Sequence, residues 1–134
     1  MGRLIDTSIL IEFEKGRLDL EKHTSEQDKE EFFVSVVSVS ELLHGVHRAK
    51  QPHIRAKRAA SVEGMLSIFS ILDVDLLTAR THSRIWAELE SKGQIIGPHD
   101  LWLAATCIAH GLIMVTANVR EFSRVPGIDV ETWA

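Results

Sequence analysis

Short apolar runs alternate along the chain with longer segments in which apolar residues recur at helical spacing. One run that predicts a strand ends at Ile5, and the others cover residues 32–37, 71–74, 112–115 and 128–130. Among the segments that predict helices, one opens near Ile9, one follows Ser38, and the others cover residues 54–69, 76–91 and 98–110. Residues 19–31 predict a short helix with a loop. Strands that alternate with helices build a parallel sheet, because each parallel crossover has the length of a helix.

This alternation predicts an α/β protein, a three-layer α/β/α sandwich around a central, mainly parallel sheet of four or five strands. We expect the first strand to lie in the centre, flanked by the strands that begin near Phe32 and Leu112. We expect Trp86 to point inward from its helix and Trp133 to pack at the end of the last strand.

The composition is that of one ordinary globular domain. The chain has 134 residues, of which 45% are hydrophobic and 25% are charged, so we treat residues 1–134 as a single domain with a substantial core. No apolar run approaches membrane-spanning length and no basic-then-apolar leader precedes the first strand, so we expect a cytoplasmic protein without a membrane partner. The single cysteine, Cys107, excludes an internal disulfide, and we expect it to be buried.

The charge of the chain is unevenly distributed. A net charge of −4 argues against sequence-blind nucleic-acid binding. Residues 47–58 nevertheless contain five cations and no acid: Arg48, Lys50, Arg55, Lys57 and Arg58. This run is either a solvated helix face or a local phosphate-binding surface. In the second case Arg48, Lys57 and Arg58 would contact the phosphates of a nucleic acid, and so would His99 beside Asp100.

Acids or amides stand at four places where strands are expected to meet helices. They are Asp6, Glu41, Asp100 and the pair Asn118 and Glu121. Each has a purely structural explanation. Asp6 can cap a helix, residues 38–41 and 118–121 fit capping boxes, and Asp100 suits a helix dipole. As a set on one sheet edge, however, such acids repel unless a cation neutralises them, and oxygen ligands suit Mg²⁺ or Mn²⁺.

Four motifs in order resemble those of a known family. They are DTSIL at residues 6–10, SVSELLHG at residues 38–45, GPHDLWLAA at residues 97–105, and TANVREF at residues 116–122 followed by VPGI at residues 125–128. The chain is similar to the PIN domain and, within it, to the VapC toxins of bacterial and archaeal toxin–antitoxin pairs. Each motif is weak alone, but their order extends over essentially the whole chain.

The resemblance implies a Mg²⁺- or Mn²⁺-dependent endoribonuclease that hydrolyses RNA phosphodiester bonds with a metal-activated water. Asp6, Glu41 and Asp100 match the family's acidic positions and would hold the metal, with Glu121 as the fourth catalytic acid. Thr116, Asn118 and Ser8 would support the site. Asn118 is neutral where many members have an aspartate, so the sequence leaves open whether Asn118 or Glu121 fills the fourth position.

The resemblance also implies partners. Such toxins pair with a small VapB-type antitoxin whose tail covers the active site, and they commonly form homodimers. Two other functions stay open from the sequence. One is a PIN-like fold kept as a non-catalytic interaction module, for which the neutral Asn118 leaves room. The other is a PIN nuclease of RNA processing outside a toxin–antitoxin pair.

Overall fold

The computed structural model describes residues 2–25 and 31–133, with Ser25 described by its backbone alone. Its strands are β1 (Arg3–Ile5), β2 (Phe32–Ser35), β3 (Ser70–Leu72), β4 (Ile113–Val115) and β5 (Val130–Glu131). All neighbouring strands pair in parallel, in the order β3-β2-β1-β4-β5. The prediction that the first strand is central, between the second and the fourth, is therefore confirmed.

Helices cover both faces of this sheet. They are α1 (Thr7–Glu14), α2 (Leu20–Ser25), α3 (Val36–Arg48), α4 (Pro52–Leu66), α5 (Leu76–Ser91), α6 (Pro98–His110) and α7 (Val119–Phe122). Successive strand residues point to opposite faces. Leu4 and Met114 therefore pack with α5, α6 and α7, whereas Ile5 and Val115 pack with α1, α3 and α4. Two apolar cores on either side of one sheet confirm the predicted three-layer sandwich.

The two helices that carry the clearest sequence signals begin and end where they were predicted. α5 covers Leu76–Ser91 and α6 covers Pro98–His110. Pro98 occupies the first turn of α6, where its missing N–H costs no hydrogen bond. Gly111 ends the helix with a φ of 64°, a left-handed conformation that glycine adopts without strain.

The predicted second strand is too long. β2 ends at Ser35, and Val36 is already the first residue of α3. The side chain of Ser35 accepts a hydrogen bond from the backbone nitrogen of Val37 at 3.0 Å and so caps the helix. The proposed capping box at residues 38–41 is therefore wrong, because Ser38 is buried within the helix rather than at its start. Glu41 consequently lies inside α3 and not at its beginning.

Smaller boundary predictions also need correction. α4 covers Pro52–Leu66 rather than residues 54–69, because the proline begins it. The third strand is Ser70–Leu72 rather than residues 71–74. The fourth begins at Ile113 rather than residue 112, and the last is Val130–Glu131 rather than residues 128–130.

Burial confirms two predicted core residues and contradicts a third. Cys107 is buried at 1% exposure and Trp133 at 8%. Trp86 was expected to point inward but is 51% exposed, because Ile85 and Leu89 already form the inner stripe of α5. The predicted short helix in residues 19–31 is α2, and residues 26–30 lie outside the described residues. Within the described ranges, no helix combines the length and apolarity that crossing a bilayer requires.

Candidate active site

Asp6 follows the central strand directly and lies at the carboxyl edge of the sheet. Its backbone nitrogen donates to the carbonyl oxygen of Val115 at 2.8 Å, which continues the pairing of β1 with β4. The side chain is almost buried, and its Oδ2 accepts hydrogen bonds from Ser8 Oγ at 2.7 Å and Thr116 Oγ1 at 2.8 Å. Although Asp6 occupies the N-cap position of α1, its side chain makes no capping hydrogen bond. The capping explanation for Asp6 is therefore wrong.

Ser8 and Thr116, both predicted as supporting residues, form one network around Asp6. Their hydroxyl oxygens lie 3.3 Å apart. Ser8 Oγ accepts a hydrogen bond from the backbone nitrogen of Ala117 at 3.0 Å, and Thr116 Oγ1 accepts one from the backbone nitrogen of Asn118 at 2.9 Å. These bonds fix the Asp6 carboxylate against the end of β4.

Glu41 projects from α3 toward the start of α1. Its Oε1 accepts a hydrogen bond from Thr7 Oγ1 at 2.9 Å. Its Oε2 lies 3.5 Å from Nδ1 of His99, at the start of α6. Glu41 thus lies between the start of α1, which follows Asp6, and the start of α6, whose first turn contains Asp100.

Asp100 lies in the first turn of α6, as the sequence predicts. Burial is the largest cause that raises the pKa of Asp100 to about 7. The negative charges of Asp6 and Glu121, a hydrogen bond with Glu121, and the charge of Glu41 raise it further. The structure therefore brings the predicted acids of four different segments within electrostatic reach of one another.

Glu121 connects the turn after β4 with the start of α6. Its Oε1 accepts a hydrogen bond from the backbone nitrogen of Gly97 at 2.9 Å, and its Oε2 accepts one from Asn118 Nδ2 at 2.5 Å. Asn118 is the N-cap residue of α7, but its side chain makes no capping hydrogen bond. The capping box proposed for residues 118–121 is therefore wrong, and the Asn118 amide binds Glu121 instead.

The chemistry of this cluster fits a divalent cation. Every acid in it offers oxygen ligands, which Mg²⁺ and Mn²⁺ prefer. After burial, the negative charges of Asp6, Glu121 and Glu41 also raise the pKa of Asp100, and a bound cation would offset that repulsion. Within the described ranges no three His, Cys, Asp or Glu side chains already form a group that could hold a metal ion.

A cleft of about 730 Å³ adjoins the cluster. Its lining includes Glu41, Thr7, His99, Arg48 and Arg58. Of the predicted RNA contacts, Arg48, Arg58 and His99 therefore share one cleft. Lys57 is exposed and does not line the cleft.

The residues of this cleft that the sequence did not assign to a site include Thr7, Lys15 and His44. A signal for His44 is present in the spacing of α3. Residues three or four positions apart share a helix face, so Glu41, His44 and Arg48 form one stripe. Thr7 and Lys15 carry no comparable local signal, because their place depends on how α1 packs beside α3.

Comparison with known proteins agrees with this fold. The family model described as PIN domain matches residues 3–128. Ribonuclease VapC1 of Rickettsia felis is 36% identical over 132 residues, which are 98% of this chain and 96% of that protein. The tRNA(fMet)-specific endonuclease VapC of Salmonella typhimurium is 38% identical over 100 residues, 75% of this chain and 74% of that protein.

A solved structure extends the likeness to three dimensions. The crystal structure of VapBC2 from Rickettsia felis, bound to a DNA fragment from their promoter, matches with a TM-score of 0.91 at 27% identity and covers 100% of both chains. The chain therefore belongs to the PIN-domain family and, within it, to the VapC endoribonucleases that act as toxins of toxin–antitoxin pairs. Nucleases of this kind generally depend on a divalent metal.

Proposed function

We propose that residues 1–134 act as one PIN domain that cleaves RNA with Mg²⁺ or Mn²⁺ held by Asp6, Glu41 and Asp100. The observation that carries the proposal is the convergence of these acids with Glu121 at the carboxyl edge of the sheet. Ligands of open α/β sheets bind at this edge. A purely structural cluster would leave unexplained why acids from separate segments converge there.

The residues of the site have separate roles in this proposal. When bound, the cation would neutralise a phosphodiester's charge and lower the pKa of a water positioned for in-line attack. Asp6 supplies the most rigid ligand, because Ser8 and Thr116 both donate to its Oδ2. Asp100 supplies a second ligand from α6, and Glu41 supplies a third from α3.

Glu121 is the fourth catalytic acid in this proposal, and Asn118 supports it. Both oxygens of Glu121 accept hydrogen bonds, from the Gly97 backbone and from the Asn118 amide. Glu121 therefore adds negative charge beside Asp100 while it holds the segment that begins α6. Asn118, which cannot neutralise a cation, orients Glu121 through that amide.

The cleft beside Glu41 is the proposed RNA-binding surface. Arg48, Arg58 and His99 line it and offer N–H donors to RNA phosphates. Lys57 lies outside the cleft, so we propose that it attracts RNA at longer range rather than by contact. The backbone of the RNA would pass from Arg58 toward the carboxylates, where the scissile phosphate would meet the cation.

The proposed partners follow from the relatives. VapBC2 of Rickettsia felis was crystallised bound to a DNA fragment from their promoter. We propose that this chain pairs with a VapB-type antitoxin and acts in the cytoplasm, where RNA is accessible.

We also propose a homodimer, because Leu76, Leu77, Trp86 and Ile95 expose large apolar side chains on or near α5. Light scattering should report twice the chain mass, and Trp86→Gln should lower it toward one chain.

Cleavage by the purified chain tests the proposal. A labelled RNA should be cut in the presence of Mg²⁺ or Mn²⁺ and left intact with excess EDTA. Folded protein that cuts no RNA under any of these conditions would favour the non-catalytic interaction module. Growth arrest on expression, relieved when the antitoxin is expressed with it, would distinguish a toxin from a nuclease of RNA processing.

A further inference from the structure

The side chain of Thr7 joins the helix that follows Asp6 to the helix that carries Glu41. Thr7 is the first residue of α1, and its Oγ1 donates to Glu41 Oε1 at 2.9 Å. Thr7 is only 7% exposed. A buried hydroxyl needs a hydrogen-bond partner, and a bond to a carboxylate is stronger than one to a neutral acceptor.

This contact determines the orientation of Glu41. A glutamate side chain has several rotatable bonds and loses conformational entropy whenever it is held in one geometry. Thr7 holds Oε1, while the other oxygen, Oε2, lies 3.5 Å from His99 Nδ1 at the cleft. Because Thr7 follows Asp6 in the chain, one turn of backbone positions both the Asp6 carboxylate and the donor to Glu41.

We infer that Thr7 is a positioning residue, which holds Glu41 in the orientation in which it contributes to the cation site. The inference rests on the proposed metal-dependent function. Hydrogen-bond partners of metal-binding side chains fix their geometry, and the loss of such a partner typically weakens metal binding about 10- to 100-fold. Thr7→Val keeps the branched shape and removes the donor. We therefore expect it to bind Mn²⁺ about tenfold more weakly.

Calorimetric titration of Mn²⁺ into the whole, metal-free protein tests this inference without any RNA. Thr7→Ser restores the hydroxyl and should bind Mn²⁺ within about twofold of the parent. Thr81→Val is the matched control. Thr81 is 8% exposed, and its hydroxyl donates to the carbonyl oxygen of Leu77 at 3.0 Å within α5, so its loss should leave Mn²⁺ affinity unchanged.

The outcomes separate the inference from the function on which it rests. Folded Thr7→Val with parental affinity, or Thr7→Ser as weak as Thr7→Val, would overturn the role of Thr7 alone. A parent that binds no Mn²⁺ at millimolar concentration would overturn the cation site itself and the inference with it. Circular dichroism verifies folding. If Thr7→Val is unfolded, Thr7→Ala replaces it with the same expectation.

Discussion

Glu121 Oε1 accepts a hydrogen bond from the backbone nitrogen of Gly97 at 2.9 Å. Gly97 is the N-cap residue of α6, and Asp100 lies in the first turn of that helix. The contact therefore ties the turn after β4 to the segment that positions Asp100. Glu121 has two effects on Asp100, since it fixes the start of the helix and adds a negative charge that raises the pKa of Asp100.

Glu121→Gln should raise the metal concentration that cleavage needs more than Asn118→Ala does. The glutamine oxygen can still accept from Gly97, so the fold should persist while one negative charge is lost. We expect the Mg²⁺ concentration for half-maximal cleavage to rise about tenfold. Asn118→Ala removes an exposed hydrogen bond worth about 0.5 kcal/mol and should raise that Mg²⁺ concentration only about twofold. A metal titration of both variants beside the parent measures this, and equal effects would remove Glu121 as the fourth acid.

Asp6→Asn should separate activity from stability. The asparagine oxygen can accept the hydrogen bonds that Ser8 and Thr116 donate to Asp6 Oδ2. The variant also loses a charge that repels its neighbours, so the metal-free free energy of unfolding should stay within about 0.5 kcal/mol of the parent or rise. Cleavage should fall more than about 100-fold, or about 2.7 kcal/mol in the barrier. Urea unfolding and cleavage assays on the same preparation measure both, and near-parental cleavage at saturating Mg²⁺ would show that Asp6 is not a ligand.

Arg58 and Lys57 form a matched pair for RNA binding. They are neighbours in α4, but only Arg58 lines the cleft. Arg58→Gln should weaken RNA binding and reduce the slope of log affinity against log salt by about 0.7, the value for one contact with a single strand. Lys57→Gln should have less than half that effect. Neither should change the cleavage rate at saturating RNA. Equal losses in the two variants would mean that the cleft is not the binding surface.

The ion pair of Arg3 and Glu131 should make stability depend on pH. Arg3 Nε donates to Glu131 Oε2 at 2.7 Å, and this hydrogen bond is the main cause that lowers the pKa of Glu131. A lowered pKa in the folded protein means that the pair stabilises it above the unfolded pKa and loses that effect as pH falls through the folded pKa.

Glu131→Gln tests this dependence. The pair is partly exposed, so solvent screening limits its contribution to about 0.5–1 kcal/mol at neutral pH. Urea unfolding should show the parent more stable than Glu131→Gln by that amount at pH 7. The difference should shrink between pH 7 and pH 3, as pH falls through the lowered pKa of folded Glu131. A difference that stays constant between the two pH values would contradict an electrostatic origin.

Much of the fold could be predicted because its signals are local. α6 has a proline in its first turn and a glycine just after its last residue, so the sequence marks both ends. The junction at Val36 could not be placed in this way. Val36 and Val37 continue a run of β-branched residues, yet they belong to α3 because Ser35 caps that helix. A short β-branched run does not distinguish the end of a strand from the start of a buried helix.

The acids of the candidate site could be singled out from the sequence, but the contacts that hold them could not. Asp6 and Asp100 stand at element boundaries that periodicity reveals. The hydrogen bond from Thr7 to Glu41 spans 34 positions, and the one from Gly97 to Glu121 spans 24. Such contacts depend on how helices pack across the sheet, for which a single sequence carries no local signal.

The dependence of the cleavage rate on Mg²⁺ tests the central claim most directly. Single-turnover cleavage of a labelled RNA would be followed with the parent and with Asp100→Asn over the same Mg²⁺ series, starting from EDTA-treated protein. The parent rate should be undetectable without metal and rise to saturation, while Asp100→Asn should stay more than about 100-fold slower throughout. Equal parental cleavage in EDTA and in Mg²⁺, or a parental rate in Asp100→Asn, would contradict a cation site formed by these carboxylates.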